Sequence, residues 1–194
     1  MLSELKQELQ SLANPEKAKQ LQRFFKIGKG QYGEGNIFLG IQVPIQRKVA
    51  KEFYDKIELK DIQELLNSKI HEHKMVGLLI LMNKYKKSSL SKKEFGKKSG
   101  SETKKDLLKK REIFEFYLKN TKNINNWDLI DISAPHIVGD FLQREGADIL
   151  KQLAKSENLW ERRIAIISTA PFIKKRNFGN TLAISEMLLK DEHD

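Results

Sequence analysis

The chain has 194 residues, 39% hydrophobic and 32% charged, which suits a globular domain with a core and excludes a disordered chain. No apolar run reaches the ~18–20 residues of a membrane span, "MLSELKQELQ" has no signal-peptide core, and there is no cysteine for a disulfide or thiolate metal site. A reducing, cytoplasmic setting is expected. The net charge of +10 points to an anionic partner, nucleic acid first. Residues 86–111 hold eleven Lys/Arg and three acids, a net +8 that leaves +2 for the rest. They read as a basic loop, about 86–105, running into a helix. Such a loop is either a solvated solubiliser or an arm that contacts phosphates.

In "LSELKQELQSL", Leu2, Leu5, Leu9 and Leu12 fall at three- and four-residue spacing, which predicts an amphipathic helix. Asn14-Pro15 supplies a cap and a first-turn proline for "EKAKQLQRFF", and Pro44 likewise opens "IQRKVAKEFY". A short helix is expected over Asp61–Leu66, then a strongly apolar one, "HEHKMVGLLILMNKY", and beyond the basic loop "DLLKKREIFEFYLKN". After "NNWDLIDISAP" come "GADILKQLAKS", "LWERRIAIISTAPFIKK" and "TLAISEMLLK". No alternating apolar–polar run supports a strand. The chain is therefore expected to be all-α, a helical bundle or an α-solenoid.

A faint internal repeat favours the solenoid. "HEHKMVGLLIL" and "WERRIAIISTA" share an acid, two basic or His residues and an apolar run, at an offset of 89 residues. That offset is about twice the ~40–47-residue period of HEAT-type helix pairs. The expectation is one domain over 1–194, an α-solenoid of HEAT-like antiparallel helix pairs, with one helix of each pair on a concave face.

"GKGQYG" at 28–33 matches G-x-G-x-x-G, but a dinucleotide loop needs a strand before it and a helix directly after it. Here a helix precedes it, and Gly35 and Gly40 follow. It reads better as a flexible Gly-rich loop, 28–43, with Lys29 and Tyr32 available to a ligand's backbone. "HEH" at 71–73 is not a metal site, because helical residues two apart point to different sides and the spacing is not that of H-E-x-x-H. His71 and His73 are expected in surface or inter-helix hydrogen bonds. His136 and His193 are isolated, and no nucleophile motif occurs. No metal and no organic cofactor is implied.

In "NNWDLIDISAP", Asn126 suits an N-cap and Asp128 the first turn, where the helix dipole favours an anion. Ser133 is expected to cap a second helix opened by Ala134-Pro135. Trp127 and Asp131 lie at i, i+4 and share a face. An indole offers a flat face that attracts cations, and a carboxylate stabilises positive charge developing in a transition state. The other reading is a half-buried Trp with Asp131 in a salt bridge. In "LWERRIAI", Arg163 borders an apolar stripe, where a guanidinium can clamp a phosphate bidentately. The other reading is an arginine whose stem covers the core while its head pairs with Asp or Glu.

Together, "FFKIGKGQYGEGNIFLGIQVP", "HEHKMVGLLIL", "NNWDLIDISAPHIVGDFL" and "LWERRIAIISTAPFI" resemble, in order, the DNA alkylation repair family of AlkD-type DNA glycosylases. The resemblance runs from about Asn14 to the end, with a lysine-rich expansion near 86–105. It implies HEAT-like repeats cradling duplex DNA and removal of N3- and N7-alkylated purines without a tight base pocket. It implies Trp127 against the sugar, Asp131 stabilising the oxocarbenium-like sugar and positioning water, and Arg163 on a backbone phosphate. Arg162, Lys29 and Tyr32 are the further DNA-contacting candidates. No cofactor is implied, and a monomer is expected. Two departures stand out. The family's further C-terminal helix, with its "GWMLRE"-like segment, is expected to be missing after "LLKDEHD". Phe24 follows Arg23 where some members carry Tyr. Rival expectations are a catalytically impaired DNA-binding scaffold and a protein-binding solenoid.

Overall fold

In the computed structural model, which describes residues 1–88 and 103–193, the chain is all-α. No strand occurs among the described residues, and one parallel bridge joins Ile37 to Ile70. The expected basic loop falls mostly on 89–102, outside the described residues. Lys86 and Lys87 end one helix and Lys104 and Lys105 begin the next. The chain divides into two compact units, Met1–Glu102 and Thr103–Asp194.

In the first unit, α1 (Leu2–Ser11) buries Leu5 and Leu9, as their spacing predicts. Asn14 caps α2 (Pro15–Gln22) by accepting the Lys17 N–H at 3.0 Å. Pro44 lies in the first turn of α3 (Val43–Phe53). The next helix, α4 (Leu59–Leu66), begins two residues earlier than Asp61, because Glu58 and Asp61 form a reciprocal capping box. Helix α5 (His71–Lys87) is buried along its whole first half and packs on α3 and α4. A stretch of helix buried on all sides lies at the centre of its unit, here with four polar residues, His71 to Lys74, among the buried ones.

The "HEH" triplet therefore sits inside the unit, which corrects the surface half of its expected role. The His71 ring stacks on Phe38, with centroids 4.8 Å apart, and His73 Nδ1 meets Ser68 Oγ at 3.0 Å. Glu72 accepts the backbone N–H groups of Leu39, Gly40 and Ile41 at 2.9, 2.8 and 3.3 Å. The far half of the glycine-rich stretch is thus bound to α5 by a carboxylate. Gly40 has φ +81°, and a Cβ there would lie 2.2 Å from the Asn14 carbonyl, so no other residue fits.

In the second unit, α6 (Lys104–Lys119) opens with a Thr103/Asp106 capping box. Helix α7 (Trp127–Ala134), a π-helical turn (Pro135–Gly139) and α8 (Asp140–Glu145) follow without a break in helical dihedrals, and the rod ends at Gly146 with φ +94°. Ser133 is therefore not a cap. It is fully buried inside the rod, and its hydroxyl donates to the Leu129 carbonyl at 2.5 Å. Pro135 lacks an N–H and crowds the carbonyl four residues back. The wider turn absorbs it where a second helix start was expected.

Beyond the rod lie α9 (Asp148–Ala154), α10 (Leu159–Ile167), α11 (Ala170–Lys174) and α12 (Gly179–Leu188). "LWERRIAIISTAPFIKK" was expected as one helix and is two. Pro171 cannot donate to the Ile167 carbonyl, so the helix turns at Ser168 and Thr169 and restarts. Helix α10 packs on α7 and α9. A Cβ on Gly139 would lie 2.4 Å from the Ser168 carbonyl oxygen, so this glycine lets the rod close onto the α10–α11 turn.

Candidate active site

The start of α7 is set by Asn126, whose side-chain oxygen accepts the Trp127 N–H at 2.9 Å. Asp128 accepts the Leu129 N–H at 2.8 Å, the structural use of a first-turn carboxylate. Leu129 and Ile130 fill the core beneath. Trp127 remains 36% exposed, while the chain's other tryptophan, Trp160, is 8% exposed and part of the core. Asp131 lies one helical turn after Trp127 on the same face.

Helix α10 brings Arg163 to Asp131. Arg163 Nε donates to Asp131 Oδ1 at 2.9 Å, and Nη2 donates to Oδ2 at 2.8 Å. The geometry is a planar fork on a planar carboxylate, the strongest form of this pair. Both side chains stay partly open, at 26% and 35% exposure. The two salt-bridge readings left open for these residues are thus one contact. Arg163 Nη1 meets no acceptor among the described residues, and each Asp131 oxygen keeps a second lone-pair direction.

Arg162, its neighbour, is held quite differently. The same Nε/Nη2 fork grips Asp191 at 2.5 and 3.1 Å, but Nη1 also donates to the Ser156 and Glu157 carbonyls, each at 3.0 Å. The guanidinium holds the Asp191 carboxyl below its ordinary pKa. Glu161, one residue earlier, accepts the Thr121 and Ser156 hydroxyls at 2.7 and 2.6 Å. Within "WERR", then, Trp160 packs, Glu161 and Arg162 tie down loops, and Arg163 faces Asp131 with one edge open.

Ser133, expected as a cap, instead pairs with Tyr117, which was not anticipated. The Tyr117 hydroxyl meets Ser133 Oγ at 2.9 Å, and because Ser133 donates to Leu129, Tyr117 is the donor. Burial drives the Tyr117 pKa well above its ordinary value. Its bond to Ser133 pulls the other way, and the Asp131 charge adds to the rise. Tyr117 therefore lies within the field of Asp131. The sequence signal was a serine at the core-facing position of "LIDISA", one turn after Ile130.

Lys29 and Tyr32 belong to the first unit. Lys29 is exposed and Tyr32 half-buried in a run of turns, where Gly30 and Gly35 take φ +77° and +78°. Among the described residues, no three His, Asp or Glu side chains converge as metal ligands, and no helix is long and apolar enough to cross a membrane. The sequence profile of a family described as "DNA alkylation repair enzyme" matches residues 5–194. No curated protein matches the chain.

Proposed function

The chain belongs to the DNA alkylation repair enzyme family, and from that premise we propose that it is a DNA glycosylase. It hydrolyses the N-glycosidic bond of N3- and N7-alkylated purines in duplex DNA. The observation that carries this reading is the partly exposed Asp131–Arg163 pair beside Trp127. We read the helix pairs that flank the site as HEAT-like repeats, and the protein as a cytoplasmic monomer that needs no cofactor.

The chemistry asks little of the protein. An N3- or N7-alkylated purine is already cationic. When the bond from C1′ to the base breaks, its electron pair neutralises the base, which leaves without a general acid. The sugar becomes an oxocarbenium-like cation. The Asp131 carboxylate stabilises that charge from close range. Water then adds at C1′ and loses its proton to solvent or to Asp131. Trp127 offers its flat face to the sugar and the developing cation. Arg163 holds a backbone phosphate, and Lys29 and Tyr32 add contacts to the duplex. Arg162 contributes through the single N–H that its clasp leaves.

The test is release of free 7-methylguanine from a methylated duplex by the purified chain. Release supports the enzyme, and no release sinks it. A second reading, a HEAT scaffold that binds DNA without cutting it, is favoured by one observation. Both Asp131 oxygens already accept a hydrogen bond from Arg163. Salt-dependent binding without release would select that reading, since phosphate contacts release counterions.

A further inference from the structure

Large apolar side chains are left exposed at one end of the second unit. Phe178 is 50% exposed, Leu182 67% and Leu189 80%. Single exposed leucines are ordinary, but these three residues are lined up. Phe178 and Leu189 flank α12 and both keep helical dihedrals. Phe178, Leu182, Ser185 and Leu189 therefore follow one another at four-, three- and four-residue spacing along one helix. That spacing makes a narrow seam of the kind that packs on a second helix. The other side of α12 is already used: Ile184 is buried, and the helix packs on α9, α10 and α11. The two ends of the seam differ in charge. Lys174, Lys175 and Arg176, before it, are all exposed and carry +3. Glu186, Lys190 and Glu192, at and beyond its last turn, are exposed and carry a net −1, while Asp191 is held by Arg162. An apolar seam with one basic and one acidic end is complementary to itself turned end for end.

We propose that the outer face of α12 is a docking surface for a second copy of this chain, packed antiparallel about a two-fold axis that passes between Leu182 and Ser185. Phe178 then meets Leu189 of the second copy, and Leu182 meets Ser185 of the second copy. A large side chain faces a small one at the centre, which lets the helices approach closely. The basic turn of each copy lies beside the acidic end of the other, and the helix dipoles run in opposite directions. A parallel pair would bring like ends together. Two ten-residue helices bury less than the roughly 1,200–2,000 Å² of a stable interface. The dimer is therefore weak, with a Kd on the order of 10–100 µM. The chain is a monomer at the nanomolar concentrations of a DNA titration and pairs when concentrated. The inference goes beyond the glycosylase reading and does not rest on it.

The experiment is sedimentation velocity of the full chain, without DNA, from about 2 to about 200 µM, a range that brackets the expected Kd. The unmodified chain is expected to move from the monomer to the dimer coefficient across that range. Leu182→Lys should remain a monomer throughout, with an unchanged Tm, because Leu182 packs on nothing in its own core. Lys175→Glu and Glu192→Lys should each weaken pairing by about fivefold, since the two-fold axis repeats each changed contact. The double variant Lys175→Glu/Glu192→Lys should recover the original Kd, because the exchanged charges meet across the axis. A monomer at every concentration overturns the proposal, and so does a dimer that Leu182→Lys leaves intact. Losses in both single-charge variants with no recovery in the double variant overturn the antiparallel arrangement.

Discussion

Glu72 in the first unit and Asp131 in the second are both helical carboxylates whose oxygens are all bonded, and they differ in what bonds them. Glu72 is 1% exposed and is held by three backbone N–H groups that have no other place to go. Asp131 is held by one side chain, at a surface where its partner keeps a free edge. A backbone cradle fixes a fold. A side-chain partner at the surface leaves both charges available to a ligand. The same contrast separates Arg162, which has a single N–H left unbonded, from Arg163, whose Nη1 meets no acceptor among the described residues.

The comparison can be broken most forcefully at Glu72. Glu72→Ala strips the acceptor from three buried donors and is expected to lower stability by about 4 kcal/mol, read from urea unfolding. A loss below about 1 kcal/mol would place Glu72 with Asp131 among the carboxylates that contribute little to stability. Beside it, His73 tests the same buried layer by pH. Burial lowers its pKa from an ordinary 6.5 to about 4, with the Lys6 charge adding to the effect. Between those values the unfolded chain binds the proton and the folded chain does not. Stability is thus present above pH 6.5 and falls on acidification to pH 4, by up to about 3 kcal/mol. His73→Gln should flatten that part of the pH–stability curve, and an unchanged slope would remove His73 from the buried layer.

Gly139→Ala probes the second unit without touching a charge. A methyl 2.4 Å from the Ser168 carbonyl must push the rod away from α10, at a cost of about 2 kcal/mol. Because the rod carries Asp131 and α10 carries Arg163, excision should fall further than stability alone explains. Arg162→Gln is the mildest change. It should lower stability by about 1 kcal/mol and weaken DNA binding less than Arg163→Gln does, read by titration at one salt concentration. The reverse ranking would mean that the filled and open edges have been assigned to the wrong arginines.

Most helices were legible because their starts are chemically marked. Asn14-Pro15, Pro44 and Asn126 each sit where a helix begins. Ser133-Ala134-Pro135 carries the same marks and misleads, because the serine hydroxyl turns back to Leu129 and to Tyr117, sixteen residues earlier in the chain. A cap and a back-bonded serine differ only in tertiary partners. The burial of "HEH" was hidden for a similar reason: a helix covered on every side shows no polar face to read. At the site, the i, i+4 spacing placed Trp127 and Asp131 together from sequence. It could not bring in Arg163 from 32 residues away; the apolar stripe singled Arg163 out from Arg162, but the acceptor each arginine holds follows only from the fold.

The most direct test is the single-turnover rate of 7-methylguanine release by Asp131→Asn, read beside its melting temperature. The expected result is a rate lower by about 10²–10³-fold, the usual loss when one group stabilising a transition-state charge is removed. Its Tm should stay within about 2 °C of the unmodified chain, since a partly exposed pair contributes about 1 kcal/mol or less. A rate equal to that of the unmodified chain would contradict the role given to Asp131. So would a fall in rate that appears only together with a large loss of Tm.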